Sequence, residues 1–248
     1  MSDKPITVDA LVKKFGKFVA VDQVSFHVEP GEIFGYLGAN GAGKSTTIRM
    51  LCGLLAPSSG RATVNGFDVG REPDSVKASI GYMSQRFSLY LDLPVEHNLD
   101  FFGGAYGLHG RSFEQRKREI LEMTGLTARR HATTGDLPGG LRQRLALGNA
   151  LLHKPSIVFL DEPTAGVDPA SRRDFWRLIR ELSSQGTTVF VTTHYMDEAE
   201  YCNRVGLMVA GKLVALDTPE GLKREFVPGR MLSVNGTNLE DTIEPLRE

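Results

Sequence analysis

One run of residues, Gly38-Ala39-Asn40-Gly41-Ala42-Gly43-Lys44-Ser45-Thr46, constrains what this chain can fold into more than any other stretch. It completes the pattern G-x-x-x-x-G-K-[ST]. The apolar run Ile33-Phe34-Gly35-Tyr36-Leu37 before it reads as a buried strand, and residues 46–55 after it read as a helix. That strand–loop–helix setting is the one in which the glycines turn consecutive backbone N–H groups inward around an anion. Lys44 adds a point charge for β- and γ-phosphates, and the Ser45 hydroxyl is a ligand for Mg²⁺. The helix that starts here adds its positive dipole end.

A second feature matches the first. Ile157-Val158-Phe159-Leu160 reads as a central strand, and Asp161-Glu162 stands at its C-terminal end. In open α/β sheets ligands bind at that edge. Asp161 is placed to hold Mg²⁺ through its water shell, and Glu162 to polarise an attacking water. Strands alternating with helices predict a parallel α/β sheet. The N-terminal strands over residues 5–37 and a hairpin at Asn65-Gly66 come first, then a strand near 79–85. Helical segments near 95–108, 112–124 and 141–153 predict an inserted helical subdomain over about 94–154. A helix is expected over 169–184, with Phe175, Leu178, Ile179 and Leu182 as its core face and its arginines solvated. A strand over 187–193, a short helix through Ala199 and a hairpin turning at Gly211 follow. The main domain is expected to span residues 1–226. Residues 227–248, with a strand expected at 231–234, read as an extension or the start of a further unit.

Composition narrows the class. A formal net charge of −1 gives no global field for nucleic acid or an acidic membrane. No apolar run reaches the roughly 18–20 residues that span a bilayer, and the N-terminus lacks an apolar signal core, so a cytoplasmic location is expected. The two cysteines, Cys52 and Cys202, have no metal or redox spacing and read as buried reduced thiols.

In the order of these motifs the chain resembles the nucleotide-binding subunits of ABC transporters over roughly residues 5–225. Gly139-Gly140-Leu141-Arg142-Gln143-Arg144-Leu145 resembles the family's signature segment, and Gln85 its glutamine loop. Glu162-Pro163-Thr164-Ala165-Gly166-Val167-Asp168 resembles the acidic strand end and the loop carrying a dimer-contact aspartate. Thr192-Thr193-His194 resembles the histidine switch. Phe15 sits where the family stacks an aromatic ring on adenine. The resemblance implies a P-loop ATPase of the ABC type that uses ATP and Mg²⁺. It implies a parallel core sheet, an antiparallel N-terminal β-subdomain and the helical insert. Lys44, Glu162, His194 and Gln85 would be catalytic. Ser45, Gln85 and Asp161 would serve the metal. Phe15, the loop from Gly38 to Thr46, Gly139, Gly140 and Asp168 would contact nucleotide. Phe15 is otherwise a core phenylalanine, and Asp168, which precedes Pro169, is equally a helix N-cap. It also implies a head-to-tail homodimer or heterodimer and a separate transmembrane permease subunit, with no nucleic-acid partner. Docking is expected through residues 86–90 and the helix near 95–108. Segments 82–90, 101–108 and 193–202 resemble ABC-2 type exporter ATPases, drug-efflux ones included.

One position departs from the family's pattern. Pro138 stands where a serine usually precedes the two glycines, so that hydroxyl and N–H are lost while Gly139, Gly140 and a helix N-terminus remain. Two rival readings stay open at this point. One is a soluble ABC protein acting on ribosomes or other machinery, or one half of a fused tandem chain. The other is an ATP-binding module that hydrolyses weakly.

Overall fold

A computed structural model describes residues 4–85 and 88–226. Two long antiparallel strands open it, β1 (Ile6–Phe15) and β2 (Phe18–Val28), joined by a tight turn at Gly16. β3 (Ile33–Gly38) follows, buried along its whole length. A strand with both faces covered reads as a continuous apolar run, as β3 does. The phosphate loop leads into α1 (Lys44–Leu51), then β4 (Ser59–Val64), β5 (Phe67–Asp68), α2 (Pro73–Ser79) and β6 (Ile80–Met83). The helical block comprises α3 (Val95–Ala105), α4 (Gly110–Met123) and α5 (Gly139–Leu151). β7 (Ile157–Asp161), α6 (Pro169–Ser184), β8 (Thr188–Thr193), a 3-10 turn (Met196–Tyr201), β9 (Arg204–Val209), β10 (Lys212–Asp217) and α7 (Pro219–Phe226) complete it.

The strands form two sheets. The antiparallel one has the order β2-β1-β4-β5. The other has the order β10-β9-β3-β8-β7-β6 and is parallel from β9 through β6. β10 alone pairs antiparallel, at the edge. Phe26 of β2 stacks on Phe34 of β3 with centroids 5.2 Å apart, and Phe34 stacks on Phe190 of β8 at 5.5 Å, so aromatic rings cement the two sheets. On the other side of the parallel sheet, Leu99, Ile120, Leu145 and Leu147 of the helical block share a core with Phe175 and Trp176 of α6.

Most of the expected elements are present, with instructive differences. α1 begins at Lys44 rather than Thr46, because Gly43 at φ 106° turns the chain straight into the helix. It stops at Leu51 rather than Leu55, where Gly53 takes φ 67° and its α-carbon faces the backbone of Pro73. The segment through Ala199 is 3-10 rather than α. α2 and α7 were not anticipated. Each starts on a proline, which suits a first helical position. Trp176 joins the buried face of α6, and Leu178 is only half-buried. The arginines of α6 are not uniformly solvated. Arg172 lies over the Tyr195 ring at 4.1 Å and Arg180 over the Tyr201 ring at 4.7 Å. Both cysteines are free and buried, as expected. Arg86 and Phe87 of the expected docking segment, and the strand expected over 231–234, lie outside the described residues. No helix among the described residues is long and apolar enough to cross a membrane.

Candidate functional site

The parallel sheet delivers its C-terminal ends to one edge, and the functional side chains converge there. In the phosphate loop Gly41 and Gly43 have φ of 81° and 106°, which only glycine adopts without cost. A Cβ on Gly43 would lie 2.5 Å from the Ala20 carbonyl oxygen, so the loop is also pressed onto β2. The buried Lys44 ammonium donates to the carbonyl oxygens of Gly38 at 2.8 Å and Ala39 at 3.2 Å. Its Nζ is also 3.1 Å from Glu162 Oε1.

β7 pairs with β8 in parallel register, with Asp161 opposite Thr192. The Thr192 hydroxyl donates to Asp161 Oδ1 at 2.7 Å and accepts from the Glu162 N–H at 2.9 Å. Ser45 Oγ donates to the same Asp161 oxygen at 3.0 Å. Asp161 is 1% exposed. Burial raises its carboxyl pKa above the ordinary value, the hydrogen bonds from Thr192 and Ser45 pull it back, and the neighbouring Glu162 charge raises it further. Glu162 is 7% exposed and has φ 48°. A left-handed glutamate straight after a buried strand is strained by about 1–3 kcal/mol, and such strain collects at functional sites. The conformation turns the carboxylate back over the phosphate loop. There Gln85 Nε2 donates to Glu162 Oε2 at 3.1 Å, and His194 Nδ1 stands 3.3 Å from the same oxygen. The latter pair is close but not aligned as a hydrogen bond, and Nδ1 is without a partner. Glu162 thus collects Lys44, Gln85 and His194 from three other segments.

A groove of about 390 Å³ opens beside this cluster. Phe15, Phe18, Asn40, Gly41, Lys44 and Thr46 line it, with Ser45, Gln85 and Glu162. Phe15 is 50% exposed and Phe18 64%, so Phe15 presents its ring to the groove and is not a core residue. The Lys13 ammonium covers one face of Phe15 at 5.2 Å. Ala42 is buried and stays behind the loop. Gly139, Gly140 and Asp168 do not line the groove. They sit at the N-termini of α5 and α6, which meet so closely that a Cβ on Gly140 would lie 2.5 Å from Ser171 Oγ. Asp168 caps α6, accepting from the N–H groups of Ala170 and Ser171 at 3.0 Å each.

Phe18 escaped the sequence reading, and Thr192 was read only as part of the histidine-switch segment. Thr192 joins Asp161 to Glu162, and the signal for it was a threonine paired in register with the acidic end of a buried strand. Phe18 adds a second ring to the groove, at the far side of the turn from Phe15. For a divalent cation the donors are oxygens, the Ser45 hydroxyl and one Asp161 carboxylate oxygen 3.0 Å apart, with Gln85 also lining the groove. That set fits a hard, water-bearing ion brought in with phosphates. Among the described residues no group of three or more His, Cys, Asp or Glu is arranged to hold a metal by itself.

The phosphate loop after β3, the buried acidic pair at the end of β7 and the sheet edge they share define a P-loop nucleoside-triphosphate-binding domain. Comparison with known proteins narrows this further. The family model described as ABC transporter matches residues 21–165. A second, AAA domain, putative AbiEii toxin, Type IV TA system, matches residues 135–196, the part that carries Asp161 and Glu162. The probable multidrug ABC transporter ATP-binding protein YbhF of Escherichia coli (strain K12) is 53% identical over 220 residues, 89% of this chain and 38% of its own length. The chain therefore spans well under half of that relative. The linearmycin resistance ATP-binding protein LnrL of Bacillus subtilis (strain 168) is 40% identical over 88% of this chain and 70% of its own length. The crystal structure of the ADP conformation of MJ1267, an ATP-binding cassette of an ABC transporter, superimposes with a TM-score of 0.83. It is 26% identical and covers 90% of this chain and 94% of that one. The chain belongs to the ABC transporter ATP-binding family, whose fold binds ATP.

Proposed function

We propose that this chain binds and hydrolyses ATP as the nucleotide-binding subunit of an ABC transporter of the exporter type. In this reading it works as a dimer at the cytoplasmic face of the cell membrane and drives a separate permease subunit. The observation that carries the reading is the convergence of Lys44, Gln85 and His194 on the Glu162 carboxylate, beside a loop built for phosphates. The names of YbhF and LnrL, a probable multidrug transporter protein and a linearmycin resistance protein, support drug export as the task.

The geometry supports the following roles. The adenine base stacks on Phe15 at the mouth of the groove. The phosphates take the N–H groups of Gly41 and of Gly43 to Thr46 and the Lys44 ammonium. Mg²⁺, held by Ser45 with Asp161 behind it, would neutralise phosphate charge. Glu162 accepts the proton of the attacking water; Gln85 keeps its carboxylate in place, and Lys44 does so until the nucleotide binds. His194 holds the γ-phosphate and orients that water. Gly139, Gly140 and Asp168 do not line their own groove. They serve the nucleotide held by a second subunit, with the free N–H groups at the start of α5 as donors. The helical block carries Phe101, half exposed, with Tyr90 edge-on at 4.6 Å, and we assign this aromatic surface to the permease.

The test is capture from detergent-solubilised native membranes by tagged Glu162→Gln protein with ATP present. A multi-span membrane protein in the eluate is expected. Ribosomal or purely soluble partners would contradict the transporter reading.

A further inference from the structure

Glu198 is a wholly buried carboxylate that the roles above leave unused. Its Oε1 accepts a hydrogen bond from Thr164 Oγ1 at 2.5 Å and lies 3.7 Å from Arg172 Nε, and its Oε2 has no hydrogen-bond partner. Thr164, also buried, is two residues beyond Glu162. Arg172 places its guanidinium 4.1 Å over the ring of Tyr195, whose other neighbour is the His194 ring at 4.1 Å. The Glu198 N–H donates to the Tyr195 carbonyl oxygen, and the Arg172 N–H to the Asp168 carbonyl oxygen. A single buried acid therefore joins the segment after Glu162, the segment after His194 and the first turn of α6.

We propose that Thr164, Arg172 and Glu198 are positioning residues, a buried clamp that fixes His194 against Glu162 and ties both to the Asp168 end of α6. The proposal rests on the hydrolytic reading above. None of the three lines the groove, so each acts through another residue. The physical case starts at His194. Its Nδ1 lies 3.3 Å from Glu162 Oε2 without an aligned hydrogen bond, and its ring packs against Tyr195, which Arg172 covers. Arg172 stands in turn 3.7 Å from the buried Glu198 carboxylate and 3.6 Å from the exposed Asp197 carboxylate, with no aligned hydrogen bond at its Nε, and removing it would leave Glu198 buried without a cation. At the other end, Glu162 keeps a left-handed backbone that the surroundings must maintain. Thr164, pinned to Glu198, anchors the turn closed by the Ala165 N–H on the Glu162 carbonyl oxygen at 3.2 Å. An apolar cluster would fill this space more cheaply than a buried acid with one free oxygen. The arrangement also means that a displacement at Asp168 reaches His194 through one guanidinium.

The experiment uses the full chain and the variants Thr164→Val, Thr164→Ser and Arg172→Leu. ATPase kcat and KM are measured together with the NMR signals of the His194 imidazole. Misplacement of a reacting group by a fraction of an ångström to 1 Å costs about 10- to 100-fold in rate. Thr164→Val and Arg172→Leu are thus expected to lower kcat about tenfold with KM within about twofold, and to shift the His194 signals. Thr164→Ser, which restores the hydroxyl, is expected to recover both. If Arg172→Leu fails to fold, Arg172→Lys keeps the charge but loses the planar stack, and is read in the same way. Unmoved His194 signals, or kcat and KM changing together, would overturn the clamp. A wild-type chain with no ATPase at all would instead defeat the hydrolytic reading, and the His194 signals would then decide the clamp alone.

Discussion

Lys44 Nζ stands 3.1 Å from Glu162 Oε1, and both side chains are almost wholly buried. The ammonium that the phosphate loop offers to a nucleotide is therefore shared with the carboxylate assigned to the attacking water. In the proposed mechanism a γ-phosphate would compete with Glu162 for Lys44, and nucleotide binding would release Glu162 to take a proton from water. Removing Lys44 would do more than weaken phosphate binding, because it would strip a buried carboxylate of its cation.

Phe15 offers its ring face to the groove without reading the edge of a base. Stacking of this kind is worth about 1–3 kcal/mol. Phe15→Ala is expected to raise the KM for ATP roughly tenfold with little change in kcat, and Phe15→Tyr to leave both near wild type. Steady-state kinetics with ATP and GTP checks this, and both nucleotides should lose affinity alike.

Asp161 has its carboxyl pKa raised by burial. The unfolded chain, with the ordinary value of 3.8, loses this proton first as pH rises. Across that window the folded state binds more protons, so the contribution of Asp161 to stability falls as pH rises. Asp161→Asn keeps acceptors for Thr192 and Ser45 without the charge. Its melting temperature is expected to exceed that of wild type at pH 7.5, with the difference shrinking toward pH 4. A difference independent of pH would contradict the assignment.

Much of this site was legible because its parts lie on short, contiguous segments. The loop from Gly38 to Thr46, the strand ending in Asp161-Glu162 and the Asn65-Gly66 turn each declare themselves within ten residues or so. Asn65 and Gly66 indeed take the positive φ values of 50° and 81°. What stayed hidden depends on pairings between distant segments. Arg172 looks like a solvated helix residue until Tyr195 arrives beneath it from another part of the chain. Thr192 is one more β-branched strand residue until the β7–β8 register sets it against Asp161. α2 is too short for a periodic signal, and Trp176 falls one step off the stripe that defines the core face of α6.

Gly140 marks the closest approach of α5 to α6. Gly140→Ala is expected to destabilise the fold by about 1–3 kcal/mol, the usual range for an overpacked contact. Because the clash is with the side chain of Ser171, adding Ser171→Gly is expected to recover most of the loss. Thermal unfolding of the two variants checks both steps.

Pro138 is exposed, precedes the first turn of α5 and offers neither hydroxyl nor N–H to a phosphate across a dimer. A charge-assisted hydrogen bond of that kind is worth roughly 1.5–3 kcal/mol. Pro138→Ser is therefore expected to raise the ATPase rate or ATP-dependent dimerisation, measured by turnover and by size-exclusion chromatography with light scattering. No change in either would show that the proline is neutral.

The most direct measurement compares ATPase turnover of the full chain with that of Glu162→Gln, with ATP affinity determined alongside. A general base contributes about 10²–10⁴-fold. Turnover in Glu162→Gln is expected to fall by at least about 10²-fold with ATP affinity within roughly threefold of wild type. A variant that keeps a third or more of the wild-type rate would contradict the assignment of Glu162 as the base, and with it the account of why Lys44, Gln85 and His194 converge on that carboxylate.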